Sequence, residues 1–261
     1  MKILFIGDIV GEPGREAVKR LVPALRREYG LDFVVANAEN SSGGSGITLK
    51  VSQELFASEV DVLTSGDHIW KKREIFDFIS QEERILRPLN FPVGAPGRGA
   101  ALFKTKTGQN IGVINVNGRV FMEALECPFK TALASLQELS KETKVIIVDI
   151  HAEATSEKIA LGWYLDGKVS AVLGTHTHVQ TADEKVMPLG CAYITDVGMT
   201  GPFDSVIGRN VEDVLARFLT SIPRRFEVAE GNIQLQGVIV EVDEATGRAG
   251  SIQRLQRKID G

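Results

Sequence analysis

Five apolar runs of strand length each lead into a residue able to bind a metal ion, and this pattern sets most of what the chain can fold into. Lys2 to Gly7 leads into Asp8, and Phe33 to Ala36 into Asn37, Ala38, Glu39 and Asn40. Val60 to Thr64 leads into Ser65, Gly66, Asp67 and His68, and Val145 to Ile150 into His151. Val169 to Leu173 leads into Gly174, Thr175, His176, Thr177 and His178. Runs this short and this apolar read as strands covered on both faces. In open α/β sheets, ligand and metal sites gather outside the C-terminal strand ends. All four histidines of the chain fall at such ends. Imidazole is the commonest metal-ligating side chain, and packing alone gives no reason for the whole histidine complement to collect there.

Helical spacing alternates with these runs. Pro13 to Tyr29 places Val18, Leu21, Val22 and Leu25 on one stripe. Pro23 lies inside that stretch and is expected to kink or break it. Further helices are expected over Val51 to Glu59, Lys71 to Ile79, Phe129 to Ser140, Ser156 to Leu165 and Val211 to Leu219. Leu86 to Gly99, rich in Pro and Gly, reads as a loop or a change of sheet. Ala100 to Phe103 and Ile111 to Val116 then read as paired strands, and Cys191 to Thr195 as another. Asp196 to Gly208 reads as a loop, either a lid over the strand ends or a structural connection. Phe226 to Ala229, Ile233 to Val242 and Ser251 to Leu255 alternate apolar and polar, as in an antiparallel meander. The consistent solution is α/β: a single domain over residues 1–261, built as a four-layer sandwich of two mixed sheets flanked by helices.

Composition narrows the function. A chain of 261 residues can bury a large core without disulfide staples. No apolar stretch approaches the ~20 residues of a membrane span, and Met1 to Asp8 reads as the first strand rather than a signal peptide. Cys127 and Cys191 form no Cys-x-x-Cys pair, which fits a reducing cytoplasm. A formal net charge of -4 and an aromatic content of 7% argue against an extended nucleic-acid groove. A small anionic substrate remains compatible, because bound divalent ions reverse the local field. A homo-oligomer is equally compatible.

The mixture of carboxylate, amide and imidazole at the strand ends suits Mn, Fe, Zn or Co rather than Ca or Mg. Its size exceeds what one tetrahedral ion requires. It suits two ions sharing a bridging carboxylate, the arrangement that clamps and attacks a phosphate ester.

In that order, Asp8, Glu39-Asn40, Gly66-Asp67-His68, His151 and Gly174-Thr175-His176-Thr177-His178 resemble the motifs of the calcineurin-like metallophosphoesterases. Gly7-Asp8-Ile9-Val10-Gly11, Ala38-Glu39-Asn40 and Asp196-Val197-Gly198-Met199-Thr200-Gly201-Pro202 are similar to a bacterial branch that hydrolyses 2′,3′-cyclic nucleotides. The resemblance covers nearly the whole chain. It implies the four-layer fold and two divalent transition-metal ions, iron or manganese foremost, with zinc or cobalt also admitted. It implies that Asp8, Asn40 and His178 hold one ion, that Asp67, His151 and His176 hold the other, and that Glu39 bridges them. It also implies in-line attack on a small phosphodiester by a hydroxide held between the ions, with His68 as proton donor to the leaving oxygen.

Three positions depart from the superfamily pattern. Val10 stands where a histidine is usual, and Glu39 where the bridge is usually Asp; both fit the bacterial branch. Asp67 stands where that branch too usually has Asn. Two other functions remain open: a phosphatase or nuclease on the same site, or a metal-holding regulatory protein with incidental activity. Among weaker signals, the glycine-rich loop from Asn40 to Gly46 could cradle a phosphate through backbone N–H groups or be a plain flexible loop. Arg98, Arg119 and the run Lys71-Lys72-Arg73 read as solvated surface charge.

Overall fold

The computed structural model describes residues 1–259. The first sheet collects β1 (Lys2–Ile6), β2 (Asp8–Ile9), β3 (Phe33–Asn37) and β4 (Val62–Thr64), with helix α1 (Gly11–Tyr29) between β2 and β3 and α2 (Leu49–Ala57) between β3 and β4. A short helix α3 (Ile75–Phe78) leads to the second sheet, which starts with β5 (Ala100–Lys104) and β6 (Asn110–Asn117). After α4 (Pro128–Leu139) come β7 (Ile146–His151), α5 (Thr155–Leu165), β8 (Ala171–Thr175), β9 (Lys185–Val186) and β10 (Ala192–Ile194). The chain then returns to the first sheet through β11 (Met199–Pro202), α6 (Val211–Thr220), β12 (Ile233–Val242) and β13 (Ala249–Lys258).

The strand order is β2-β11-β12-β1-β3-β4 in the first sheet, with β13 also paired to β12, and β5-β6-β7-β8-β10-β9 in the second. Both sheets are mixed. β1 runs parallel to β3 and antiparallel to β12, while β6, β7 and β8 are parallel to one another and β5 is antiparallel to β6.

Strand alternation splits each apolar run between two cores. Ile3 and Phe5 of β1 face Ile111, Val113, Ile147 and Leu173 of the other sheet. Leu4 and Ile6 face outward, onto Ala17, Val18, Val22 and Leu25 of α1 and Leu55 of α2. On the far side Val148 and Ile150 of β7 pack against Leu136 of α4 and Leu161 and Leu165 of α5. The layers are therefore helix, sheet, sheet, helix, as expected. Burying both faces of every central strand is what made the runs largely apolar.

Several elements differ from expectation. α1 starts two residues before Pro13 and continues through Pro23. Val18, Val22 and Leu25, packed on the sheet to either side of the proline, hold the helix together across the missing N–H. Lys71 to Ile79 is not one helix; a 3₁₀ turn at Ile69–Lys71 and the four-residue α3 replace it. Trp70 there stacks on Phe76 at 5.1 Å and meets Phe91 edge-on at 5.6 Å, so side-chain packing sets the path of this segment. Met199–Pro202, expected as loop, is β11, wedged between β2 and β12. The close passage needs Gly7, where a Cβ would lie 2.0 Å from the Gly198 carbonyl oxygen. In the tail β12 and β13 pair antiparallel, as expected. β12 enters the first sheet beside β1, and Phe226 to Ala229 contributes only an isolated bridge at Val228.

Candidate metal centre

The C-terminal ends of β1, β3, β4, β7 and β8 meet at one edge, where the two sheets face each other. Glu39, Asp67, His151 and His176 offer ligand atoms within 4.8 Å of one another, a group that could hold a metal ion. His151 Nε2 lies 3.3 Å from Glu39 Oε2 and 3.3 Å from Asp67 Oδ1, and 2.9 Å from His176 Nδ1. Two ring nitrogens at that distance share at most one proton. From the other oxygen of Glu39 a chain of contacts runs through Asn40 and His178 to Asp8. The Asn40 amide donates to Glu39 Oε1 at 3.0 Å and stands 3.2 Å from His178 Nε2, which is 3.7 Å from Asp8 Oδ1. All seven expected ligands thus converge, with Asn40 facing the others through its nitrogen.

The donor set fits divalent transition ions: carboxylate oxygen and imidazole nitrogen with no thiolate. Among the described residues, Asp8 Oδ1 and Asp67 Oδ1 are buried and have no hydrogen-bond partner, a costly arrangement unless a cation meets them. Space for the group depends on Gly66, where a Cβ would fall 2.3 Å from His151 Nε2 and 2.4 Å from Glu39 Oε2.

Burial and charge pull the titrating groups apart. Burial raises the Asp8 carboxyl above its usual range, and the neighbouring His178 and His151 only partly oppose it. Burial also pushes Glu39 upward, but His151 and His68 outweigh it and hold that carboxyl well below the usual range. For His151 burial favours the neutral ring, yet Glu39 and Asp67 win and raise it well above the ordinary value. His176, buried beside His151, is pushed down to about 4.

Each histidine of the group has its far nitrogen tied down, which fixes which nitrogen faces the centre. His151 Nδ1 donates to the Thr175 hydroxyl at 2.9 Å, and that hydroxyl donates to Asp149 Oδ1 at 2.8 Å. Asn37 donates to the other Asp149 oxygen at 3.2 Å. Burial raises the Asp149 carboxyl to about 7. His178 Nδ1 donates to the Ile207 carbonyl at 3.0 Å, and His176 Nε2 lies 3.2 Å from Glu153 Oε2.

His176 and His178 adopt φ angles of 103° and 65°, unusual for residues with a side chain. Thr177 between them is anchored to Asp196 Oδ2 through its N–H at 3.0 Å and its hydroxyl at 2.7 Å. Asp196 is held by Lys158 at 2.8 Å, both fully buried. The loop at Asp196 is thus a structural connection that supports the histidines.

His68 stands beside the cluster without entering it. Its backbone N–H donates to Glu39 Oε2 at 3.1 Å, and its Nδ1 donates to Asn40 Oδ1 at 2.8 Å and lies 3.3 Å from Glu39 Oε1. Its hydrogen bond to Glu39 raises its pKa against the opposing effect of burial.

Asp149, Glu153, Lys158, Thr175 and Asp196 do not emerge from the strand-end reading. Asp149 had a signal: it is a carboxylate inside the apolar run from Val145 to Ile150. The loop from Asn40 to Gly46 is tied by the Gly46 N–H to the Glu39 carbonyl and by Arg209 to the Gly44 carbonyl, so it is braced backbone rather than a free loop. Arg98 pairs with Glu83 on the surface.

A 2′,3′-cyclic-nucleotide 2′-phosphodiesterase of Bacillus subtilis is 50% identical over 255 residues, which are 98% of this chain and 96% of that protein. The crystal structure of a hypothetical protein from Thermus thermophilus superposes with a TM-score of 0.92 at 41% identity, covering 99% of both chains. The crystal structure of a novel phosphatase from Mycoplasma pneumoniae does so with a TM-score of 0.92 at 35% identity, covering 99% of this chain and 93% of that one. A family model described as YmdB-like protein matches residues 4–255. The chain belongs to the YmdB-like protein family.

Proposed function

We propose that the protein is a dinuclear metal-dependent phosphodiesterase that hydrolyses 2′,3′-cyclic nucleotides at the 2′ ester. Asp8, Asn40 and His178 hold one divalent transition ion, and Asp67, His151 and His176 the other. Glu39 bridges the two; iron or manganese is the expected metal. Bound there, the ions supply a nucleophilic water at neutral pH and charge against the phosphoryl oxygens. The observation that carries the reading is His68: it borders the cluster, is not among its four residues, and has its Nδ1 occupied by Asn40 and Glu39. Its Nε2 is left to give a proton to the departing ribose oxygen. A purely structural metal site has no use for such a group. Thr175, Asp149 and Glu153 keep His151 and His176 turned toward the cluster.

The chain acts as one domain, in keeping with the return of β11 to β13 into the first sheet. Residence in the cytoplasm is supported by cysteines Cys127 and Cys191 that stay free. Among the described residues no helix is long and apolar enough to cross a membrane.

Incubation of the metal-loaded enzyme with 2′,3′-cyclic AMP should release adenosine 3′-monophosphate, read by chromatography. Hydrolysis of phosphomonoesters with no turnover of any cyclic nucleotide would replace this reading with a phosphatase.

Asp67 adds a prediction of its own. With Asp8, Glu39 and Asp67 ionised, the carboxylates carry -3 against +4 from two divalent ions; with Asn at 67 they carry -2. Asp67→Asn should therefore bind inorganic phosphate more tightly, read as a lower inhibition constant at unchanged metal content. Equal or weaker inhibition in the variant contradicts it.

A further inference from the structure

Gly118 to Met122 leave the end of β6 beside the metal cluster, and the chain there is pinned at three places. The Gly118 N–H donates to the carbonyl of His151 at 2.9 Å. The Arg119 and Val120 N–H groups donate to the buried carboxylate of Glu157 at 3.1 to 3.2 Å. The Met122 sulfur accepts the Glu153 N–H at 3.3 Å, and the Glu153 carboxylate is the group that faces His176 Nε2. Between these anchors Phe121 has a φ of 61°, in the left-handed region, and is 89% exposed. A bulky residue in that region is strained, and such strain persists only where the surroundings over-determine it. The exposed side chain contributes little apolar burial, so packing of the fold does not account for an aromatic held this way.

We propose that Phe121 is the stacking platform for the nucleobase of the substrate; this rests on the phosphodiesterase reading above. The phosphate of a cyclic nucleotide lies on the metal cluster, and the ribose carries the base outward toward the rim. The anchors of the loop run directly to His151 and, through Glu153, to His176, so Phe121 is at the rim beside those two ligands. An aromatic face accepts any base, because every base has a π face. Holding the ring on a pinned loop lowers the ordering cost on binding. Beside His178, the large exposed hydrophobic side chains nearby in sequence and contact are the aliphatic Val179 and Ile207.

The test compares 2′,3′-cyclic AMP with methyl riboside 2′,3′-cyclic phosphate, which lacks the base, on the metal-loaded enzyme. Phe121→Ala should raise KM for the nucleotide about tenfold or more. It should leave kcat/KM for the base-free substrate unchanged, and Phe121→Trp should keep the native KM for both. Calorimetric binding of adenosine 3′-monophosphate should weaken by the same factor in Phe121→Ala, at an unchanged melting temperature. An unchanged KM for the nucleotide overturns the proposal, as does an equal loss on both substrates, which would mean the loop only shapes the centre. A KM rise in Val179→Ala without one in Phe121→Ala would put the base beside His178 instead. If the native enzyme turns over neither substrate, the phosphodiesterase reading fails, and the calorimetric arm decides alone: equal or absent binding in native protein and variant overturns the stacking role.

Discussion

His68→Gln is expected to lower kcat on a 2′,3′-cyclic nucleotide by about 10²-fold or more, the usual contribution of a positioned general acid. A ribose alkoxide is a poor leaving group and needs a proton as the P–O bond breaks. A nitrophenolate does not, so the same variant should lose far less on bis-nitrophenyl phosphate. Metal content should stay as in the native protein, because His68 Nδ1 faces Asn40 Oδ1 and Glu39 Oε1 and His68 is not among the four clustered residues. Equal losses on both substrates with metal retained would make His68 a phosphate-orienting group. Loss of metal would make it a ligand.

Lys158→Ala should have the largest effect on stability, although Lys158 touches no expected ligand. Lys158 and Asp196 form a fully buried ion pair at 2.8 Å. Removing one partner strands the other charge and typically costs about 3–5 kcal/mol. At roughly 2–4 °C per kcal/mol for a chain near this size, the melting temperature should fall by roughly 6–20 °C. Asp196 also holds Thr177 between His176 and His178, so metal affinity should fall with it. Pairing Lys158→Met with Asp196→Asn removes the stranded charge and should recover stability more than metal affinity. A single variant that melts within about 2 °C of the native protein would show that the pair is not what holds this loop.

The fold was legible because its central strands are covered on both faces. Lys2 to Gly7 or Val145 to Ile150 then carry an almost unbroken apolar signature, and alternation with helices leaves few topologies. What stayed hidden was neighbourhood. The pattern of Ile233 to Val242 shows a strand, but nothing in it says that the partner is β1 at the other end of the chain. Pro23 misled because helix propensity is weighed locally, while packing against the sheet acts on the whole of α1. The candidate metal centre was legible through scarcity, since all four histidines lie at strand ends. The residues that hold them there were not. Glu153 is an ordinary polar residue in sequence, Thr175 and Asp196 stand there without a stated role, and only the contacts to His151, His176 and Thr177 reveal their work.

The most direct test of the two-ion phosphodiesterase is metal analysis of the purified protein, read together with turnover of 2′,3′-cyclic AMP as a chelator is added and the metal then returned. Close to two transition-metal ions per chain are expected, with turnover abolished by chelation and restored by the ions. One ion or none, with turnover intact, would contradict it.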